Sequence, residues 1–235
     1  MLRRHKAYVL LLLALGCVQG VCSAQDTWQS VLSGMPLRPA VAQLNRTNCV
    51  QVMLRSFQSN EVIKALIFMP GATDEFYMFR RAEAQLDAAS PSLLDVVAAL
   101  TNQTRIRVNF RRPFLLLHTA SDPLEPIITI KNSQVAERLT HQVFLSHVEF
   151  NDTEWDKIQP LLKRRLGMDI EPWRNSADSD HFYRSALSGW NLTEWEMIEA
   201  LALANRTRAT VEKRPFPRGT LIKFECDMRV GRQEF

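Results

Sequence analysis

The chain contains little cysteine, and half of its cysteines lie in an N-terminal segment that we expect to be removed. Of four cysteines in 235 residues, Cys17 and Cys22 belong to the first 24 residues, which leaves Cys49 and Cys226. In an exported chain such a pair is a disulfide candidate, and in the chain-entropy model closing this long loop contributes about 4 to 5 kcal/mol. The alternative is two buried thiols, each in a strand. We predict the bridge.

Beyond its start, the chain lacks an apolar run of the roughly 20 residues that a transmembrane helix needs. The start itself has the three parts of a secretory signal peptide: basic residues at 3–6, an apolar run at 8–15 and a small-residue exit at 22–24. We therefore predict a signal peptide over 1–24 and a periplasmic or secreted product. Lipid attachment at Cys17 is the less favoured alternative, because Ala14 stands where a lipoprotein signal usually has leucine.

The predicted mature chain also lacks an excess of charge of one sign. Cleavage takes away Arg3, Arg4 and Lys6 and no acid, so the formal net charge falls from +4 to +1. A protein that binds a polyanion usually carries a concentrated basic face. We therefore do not expect nucleic acid as the partner.

Familiar catalytic motifs are missing. The sequence has no Gly-x-Ser-x-Gly elbow, no His-Glu-x-x-His pair, no phosphate loop and no dinucleotide fingerprint. The polar run at 178–181 (DSDH) and the acids Asp74 and Glu75 are typical of solvated loops. We expect a non-enzymatic protein without cofactor or resident metal. A secreted hydrolase, with a site assembled from scattered residues, stays open as the alternative.

A duplicated phrase is the clearest pattern that is present. Residues 30–37 read SVLSGMPL and residues 185–192 read SALSGWNL, and each phrase leads into Asn-Arg-Thr, at 45–47 and 205–207. Self-similarity of this kind indicates a duplicated supersecondary unit.

Three helix starts share one spacing, a hydroxyl residue followed three places later by an acid. This is the capping-box spacing, which satisfies free backbone N–H groups at a helix N-terminus. The pairs are Ser92 with Asp95, Thr153 with Asp156, and Thr193 with Glu196. Pro160 falls inside the second of these helices and is expected to kink or split it.

The first copy of the phrase is followed by a shorter helical pattern at 40–44. Strands are predicted after this segment and after the three helices, at 49–54, 105–110, 168–171 and 208–211. These units give four helix–strand modules, at 28–56, 76–118, 140–174 and 182–228. Further strands are predicted at 127–130 and 221–226. The turn-rich segment 121–126 then separates two sheet-plus-helix domains, at 25–120 and 127–230. The predicted fold class is α+β, with tandem repeated small modules.

Residues 34–47, 92–108 and 191–211 resemble the short N-terminal modules of bacterial secretins and TonB-dependent receptors. Each has a short sequence that leads into an amphipathic helix, an Asn-x-Thr sequence that ends this helix, and a strand. The resemblance implies small α+β domains in the bacterial envelope that act by contacting other proteins. The chain has no room for a secretin pore domain or a receptor barrel.

Six arginines occupy similar places in the second and fourth modules, and they form a candidate face for an anionic glycan, lipid headgroup or nucleic acid. They are Arg105, Arg107, Arg111, Arg206, Arg208 and Arg214. The alternative is the solvent side of an amphipathic sheet.

Five Asn-x-Thr sequons are candidate glycosylation sites. They are Asn45, Asn102, Asn151, Asn191 and Asn205. Each also lies where a helix is predicted to end or begin, so helix capping explains them without sugar.

The sequence therefore predicts an exported binding or assembly protein of the bacterial envelope, whose partner is another envelope protein or a polymer. A eukaryotic secreted N-glycoprotein is a further alternative that the sequons leave open.

Overall fold

Two β-sheets and the helices packed on them give the protein a mixed α+β fold, as the sequence predicts. The computed structural model describes residues 28–38, 43–44, 49–69, 83–86, 89–119, 128–130, 133–171, 184–205, 207–213 and 219–226. The predicted signal segment 1–24 lies outside these residues.

The helices are α1 (28–33), α2 (Cys49–Ser56), α3 (Leu93–Gln103), α4 (Ser133–His141), α5 (Trp155–Leu166) and α6 (Glu194–Ala204). The strands are β1 (Gln43–Leu44), β2 (Ala65–Met69), β3 (Ala84–Gln85), β4 (Arg107–Arg111), β5 (Phe114–His118), β6 (Ile128–Ile130), β7 (Val143–Glu154), β8 (Asp169–Glu171), β9 (Arg184–Thr193), β10 (Thr207–Lys213) and β11 (Thr220–Cys226). β1 and β3 pair with each other and, among the described strands, with no other.

The larger sheet has five strands in the order β4-β5-β2-β9-β7. β2 and β5 are parallel, and the other neighbours are antiparallel. β9 lies between β2 and β7, so strands from both predicted domain ranges, 25–120 and 127–230, belong to one sheet.

Both faces of the five-stranded sheet are buried. Leu66 of β2 and Leu115 of β5 face one hydrophobic cluster with α1, α2 and α3, whereas Ile67 and Leu116 face a second cluster with α6. A strand buried on both faces is apolar throughout instead of alternating. This explains the continuous sequences of β2 (ALIFM) and β5 (FLLLH).

The second sheet has four strands in the order β6-β10-β11-β8. Val211 of β10 and Ile222 of β11 belong to the same cluster as α6 and the five-stranded sheet, and α6 contacts β2, β9 and β10. α6 therefore lies between the two sheets. Its burial fits this position, because every residue from Met197 to Ala204 except Glu199 is buried, as expected of a helix that is packed on several sides.

Two of the three predicted capping boxes are confirmed, at Ser92 with Asp95 and at Thr193 with Glu196. The third, at Thr153, is wrong. β7 continues through Glu154, which becomes the N-cap of α5 without a side-chain hydrogen bond. Thr153 is instead paired with Ser185 of β9, so the sheet and not the helix fixes its backbone.

Helix α5 runs from Trp155 to Leu166 as one element, so the split predicted at Pro160 does not occur. Proline removes the hydrogen bond to the carbonyl four residues earlier, here that of Asp156. Asp156 and Pro160 are both exposed, which leaves that carbonyl within reach of water. Gly167 ends the helix with φ 62°, in the left-handed conformation predicted for it.

The predicted strand at 49–54 is wrong, because these residues form most of α2. The duplicated phrase also has two different structures. Residues 30–33 are helical and lead into a turn at Gly34, whereas residues 185–192 lie in strand β9. The strands predicted at 105–110, 127–130, 168–171, 208–211 and 221–226 are found as β4, β6, β8, β10 and β11, with small shifts in their ends.

Candidate functional site

Four strands lie at the edges of the two sheets, and three of them are protected against pairing with another chain. β6 and β8 have three residues each, and β4 has five residues with an arginine at each end. Short length and charged side chains are the usual means of blocking an edge. β7 has 12 residues, and among the described residues β9 is its only strand neighbour. It is the candidate binding edge.

The centre of β7 is regular. The register with β9 shifts between Val143 and Leu145 and again between Phe150 and Thr153, where Asp152 has φ 52°. Such bulges disrupt the ends of an edge strand. Residues 145–150 between them keep one register with β9, through pairs at Leu145 and at each residue from His147 to Phe150. We call this segment the β7 central run.

From His147 to Phe150 the β7 central run alternates between the surface and the core. Val148 and Phe150 are buried in the cluster around α6, whereas Ser146 and His147 are exposed and Glu149 is half-buried. Alternate residues of an antiparallel edge strand direct both backbone groups away from the sheet. About three residues of the run therefore present an N–H and a C=O to the outside.

An aromatic pair fixes the side chain of His147 beside this edge. The imidazole stacks on the indole of Trp190 in β9, with ring centroids 4.0 Å apart and planes at 30°. The Trp190 amide N–H donates to the carbonyl of Lys64 at 3.0 Å, which ties this part of β9 to β2. His147 is exposed and Trp190 half-buried, so the imidazole covers the indole at the surface.

Val143, at the start of β7, is 56% exposed, and it is the one large hydrophobic side chain in the described part of the chain that is exposed to this degree. At the other end of β7, Nε of Arg184 in β9 lies 3.1 Å from Oδ1 of Asp152. Nη2 of the same side chain lies 3.1 Å from Oε1 of Glu154. These two ion pairs hold the end of β7 against β9.

The acids on α6 form a second group of charged residues. Nζ of Lys64 donates to both carboxylate oxygens of Glu196, at 2.7 and 3.0 Å, and Glu196 also accepts the Thr193 amide N–H. One turn further on, Glu199 lies 3.5 Å from Nη2 of Arg111. Each carboxylate thus faces a cation of the five-stranded sheet, an arrangement that fastens the helix to the sheet.

Two carboxyls of α6 have raised pKa values. Burial is the main cause for Glu199, whose pKa Arg111 lowers and Glu196 raises further. Burial likewise raises the pKa of Glu194, against the opposing effect of Arg138 at 3.6 Å. A raised carboxyl pKa suits a general acid. Both carboxyls, however, are ion-paired between packed elements, which favours a structural role.

Replacing Glu199 by glutamine is expected to change how stability depends on pH. A carboxyl whose pKa is higher in the folded state stabilises the fold fully below its ordinary pKa, and this contribution is lost as pH rises through the folded-state pKa. The difference in unfolding free energy, wild type minus Glu199→Gln, should therefore fall as pH rises from about 4 through the folded-state pKa of Glu199. Urea unfolding across this range measures it.

The variant Arg111→Gln is the matched comparison, because it removes the cation that lowers the pKa of Glu199. Its loss of stability relative to wild type should grow as pH rises beyond the folded-state pKa that Glu199 has in wild type, because the variant carboxyl stays protonated to higher pH. A wild-type advantage over Glu199→Gln that increased with pH would contradict the assignment.

Cys49 is a free thiol in the structure, and its predicted pairing with Cys226 stays a prediction. It is buried at the start of α2, and burial raises its pKa to about 12. Cys226 is the last residue of β11, opposite Thr207 of β10. Cys49 therefore belongs to the core, on a helix instead of the predicted strand.

The predicted arginine face is divided between the two sheets. Arg105, Arg107 and Arg111 lie at or beside β4 in the five-stranded sheet, and Arg111 is paired with Glu199. Arg208 lies on β10 in the four-stranded sheet. Arg206 and Arg214 lie outside the described residues.

The sequon asparagines occupy four kinds of position. Asn102 is exposed on α3, one residue before that helix ends, and Asn151 is half-buried in β7. Asn191 is exposed in β9 with φ 50°. Asn205 caps α6, and its side-chain amide donates to the Leu201 carbonyl at 2.8 Å and to Oγ of Ser185 at 3.0 Å. Asn45 lies outside the described residues.

Asn205 shows how an asparagine can end a helix without the left-handed conformation. Its φ is −107°, and the side chain satisfies a carbonyl of the last turn directly. The amide nitrogen that would carry a glycan is the donor of both hydrogen bonds. This geometry supports the helix-capping explanation at Asn205.

Within the described residues, no group of three or more His, Cys, Asp or Glu side chains could hold a metal ion. The acidic runs at 74–75 and 178–181 lie outside those residues. Sequence reasoning missed Lys64, His147, Glu199 and Trp190, whose contacts join residues far apart in the chain.

Comparison of the chain with protein-family models, with curated proteins and with solved structures found no match. None of the described helices combines the length and the apolar character that crossing a membrane requires.

Proposed function

We propose that the protein is an exported, non-enzymatic binding or assembly protein, and that it binds an extended segment of another polypeptide along β7. The observation that supports this is the contrast among the sheet edges. Three edges are short or carry arginines, whereas the 12-residue β7 keeps a regular central run. An open edge of this kind binds peptides by strand addition, in which main-chain hydrogen bonds supply affinity.

The β7 central run is long enough for such a contact. Six residues of antiparallel strand span about 20 Å. Each main-chain hydrogen bond to an added strand contributes about 0.5–1.5 kcal/mol net, so the outward groups of about three residues give a modest affinity on their own. Side chains beside the edge then have to supply selectivity. The exposed imidazole of His147, held on Trp190, is placed for that purpose.

Our proposal that the protein acts in the envelope rests on the sequence. The predicted signal peptide over 1–24 directs the chain out of the cytoplasm. The resemblance to the modules of secretins and TonB-dependent receptors implies contact with envelope proteins. An envelope partner that offers an extended segment fits both expectations.

Photo-crosslinking at the edge of β7 tests the proposal. A photoreactive amino acid replaces Ser146, which is exposed in the β7 central run, and the protein is expressed and irradiated in its native host. We expect a discrete adduct with an envelope protein, in which mass spectrometry finds the label on one short segment of that partner.

Glu225 is the matched control position. It is exposed on β11 of the four-stranded sheet, where it is paired with Arg208 of β10, so it offers an exposed strand position away from β7. Irradiation of protein labelled at 225 should give no such adduct. Equal labelling of the same partner from both positions, or no adduct from 146, would contradict binding along β7.

A further inference from the structure

We propose that a second copy of this chain occupies the β7 edge when no other partner is bound. The two β7 strands would pair antiparallel about a twofold axis at Val148, perpendicular to the sheet, and so join two five-stranded sheets into one. This inference rests on the proposed function, since it takes β7 to be the edge that accepts a strand. It adds the identity of one occupant and its register.

Charge complementarity within the β7 central run selects this occupant. His147 and Glu149 are two residues apart on the same face of the strand, the face opposite Val148. In antiparallel pairing about Val148, the numbers of two residues that face each other add up to 296. His147 then lies opposite Glu149 of the partner subunit, and Glu149 opposite His147 of the partner subunit. An imidazole N–H can donate to a carboxylate in both pairs.

Neighbouring registers lack this match. An axis at His147 places the two imidazoles opposite each other, and an axis at Glu149 places two carboxylates opposite each other, which is unfavourable. An axis between two residues joins opposite faces of the two sheets, so His147 would no longer face Glu149. The match at Val148 is isologous, as a twofold dimer requires.

The surroundings of the run agree with a contact of limited length. With the axis at Val148, the regular pairing extends from Leu145 to Asn151. Leu145 then lies opposite Asn151 of the partner subunit, and Asn151 lies opposite Leu145 of the partner subunit. The bulges at both ends of β7 lie at or beyond these limits. The stacking of His147 on Trp190 restricts the imidazole before association, which lowers the entropy cost of ordering it.

Charge-exchange variants test the dimer by sedimentation equilibrium of the purified protein. Wild type should show the mass of two chains and dissociate on dilution. His147→Glu places a carboxylate opposite Glu149 in both symmetric pairs, so the dissociation constant should rise about 10-fold. The double variant His147→Glu with Glu149→Lys restores opposite charges and should return the constant to near the wild-type value. Glu225→Lys, on the exposed face of β11, should leave it unchanged.

Register is tested separately by crosslinking. With a photoreactive residue at 146, a mixture of ¹⁴N- and ¹⁵N-labelled protein should give mixed-isotope adducts at or next to Phe150 of the partner subunit. Circular dichroism and urea unfolding show whether each variant is folded.

Two results would overturn the inference: a single-chain mass for folded wild type up to about 100 μM, or no recovery in the double variant. A monomeric protein that still forms an envelope adduct from position 146 would remove the dimer and leave the proposed function standing. A dimer with the predicted register but without any envelope adduct would support the inference and count against binding of a different partner.

Discussion

Replacing Leu201 by alanine is expected to lower the free energy of unfolding by about 2–5 kcal/mol. Leu201 is fully buried on α6, in the cluster that includes residues of both sheets. Truncation removes apolar contacts and leaves a cavity that packed neighbours fill only in part. A typical domain has a total stability of about 5–15 kcal/mol, so the variant should be visibly less stable at room temperature.

Urea unfolding monitored by circular dichroism measures the loss, with Leu94→Ala as control. Leu94 is half-buried on α3 and packs against the other cluster, so the same substitution should cost clearly less there. Because α6 contacts strands of both sheets, Leu201→Ala should shift one cooperative transition. Equal losses for the two variants, or a two-step transition with only one step shifted, would contradict a core shared through α6.

Replacing Gly189 by alanine is expected to cost about 1–3 kcal/mol. Gly189 is buried in β9, between β2 and β7. A Cβ atom there would lie 2.6 Å from Cδ1 of Leu192 and 3.2 Å from Cβ of Ala65. Leu192 is itself fully buried, so it cannot move aside without disturbing the core.

Gly34 supplies the matched control, because it occupies the same place in the duplicated phrase. It lies in an exposed turn after α1, and a Cβ would have Val31 O as its nearest neighbour, at 3.6 Å. Gly34→Ala should change the unfolding free energy by no more than about 0.5 kcal/mol. Similar losses for the two variants would show that the two copies of the phrase have equivalent surroundings.

Local signals explain the parts of the fold that the sequence predicts correctly. The capping boxes at Ser92 and Thr193 depend on side chains three residues apart, and the left-handed end at Gly167 depends on one residue. Such features form from contacts within one turn. They keep their structure wherever the helix is placed in the fold.

The errors lie where packing decides between local alternatives. Residues 49–54 (CVQVML) are compatible with either a helix or a strand, and burial of Val52, Met53 and Leu54 under the five-stranded sheet selects the helix. The phrase at 185–192 is a strand because β2 and β7 lie on its two sides. A pattern of eight residues contains no information about those neighbours.

The candidate site depends even more on distant contacts. His147 and Trp190 stack across two strands that are far apart in the sequence, and the ion pairs of α6 reach Lys64 and Arg111 in the first half of the chain. In the described part of the chain β7 has a strand on one side, and this edge position is a property of the whole sheet. Sequence periodicity can suggest a strand, but it does not tell an edge from a centre.

The position of β9 also constrains the order in which the chain can fold. Ala65 of β2 is paired with Gly189 of β9, 124 residues later. Until β9 has been synthesised, one side of the apolar strand β2 has no strand beside it, and α6, which directly follows β9, is not yet there to cover its face. Contacts of such long sequence separation slow folding and prolong the exposure of apolar strands to aggregation. If the chain crosses a membrane unfolded, its folding would therefore depend on keeping β2 from pairing with another strand before β9 has emerged.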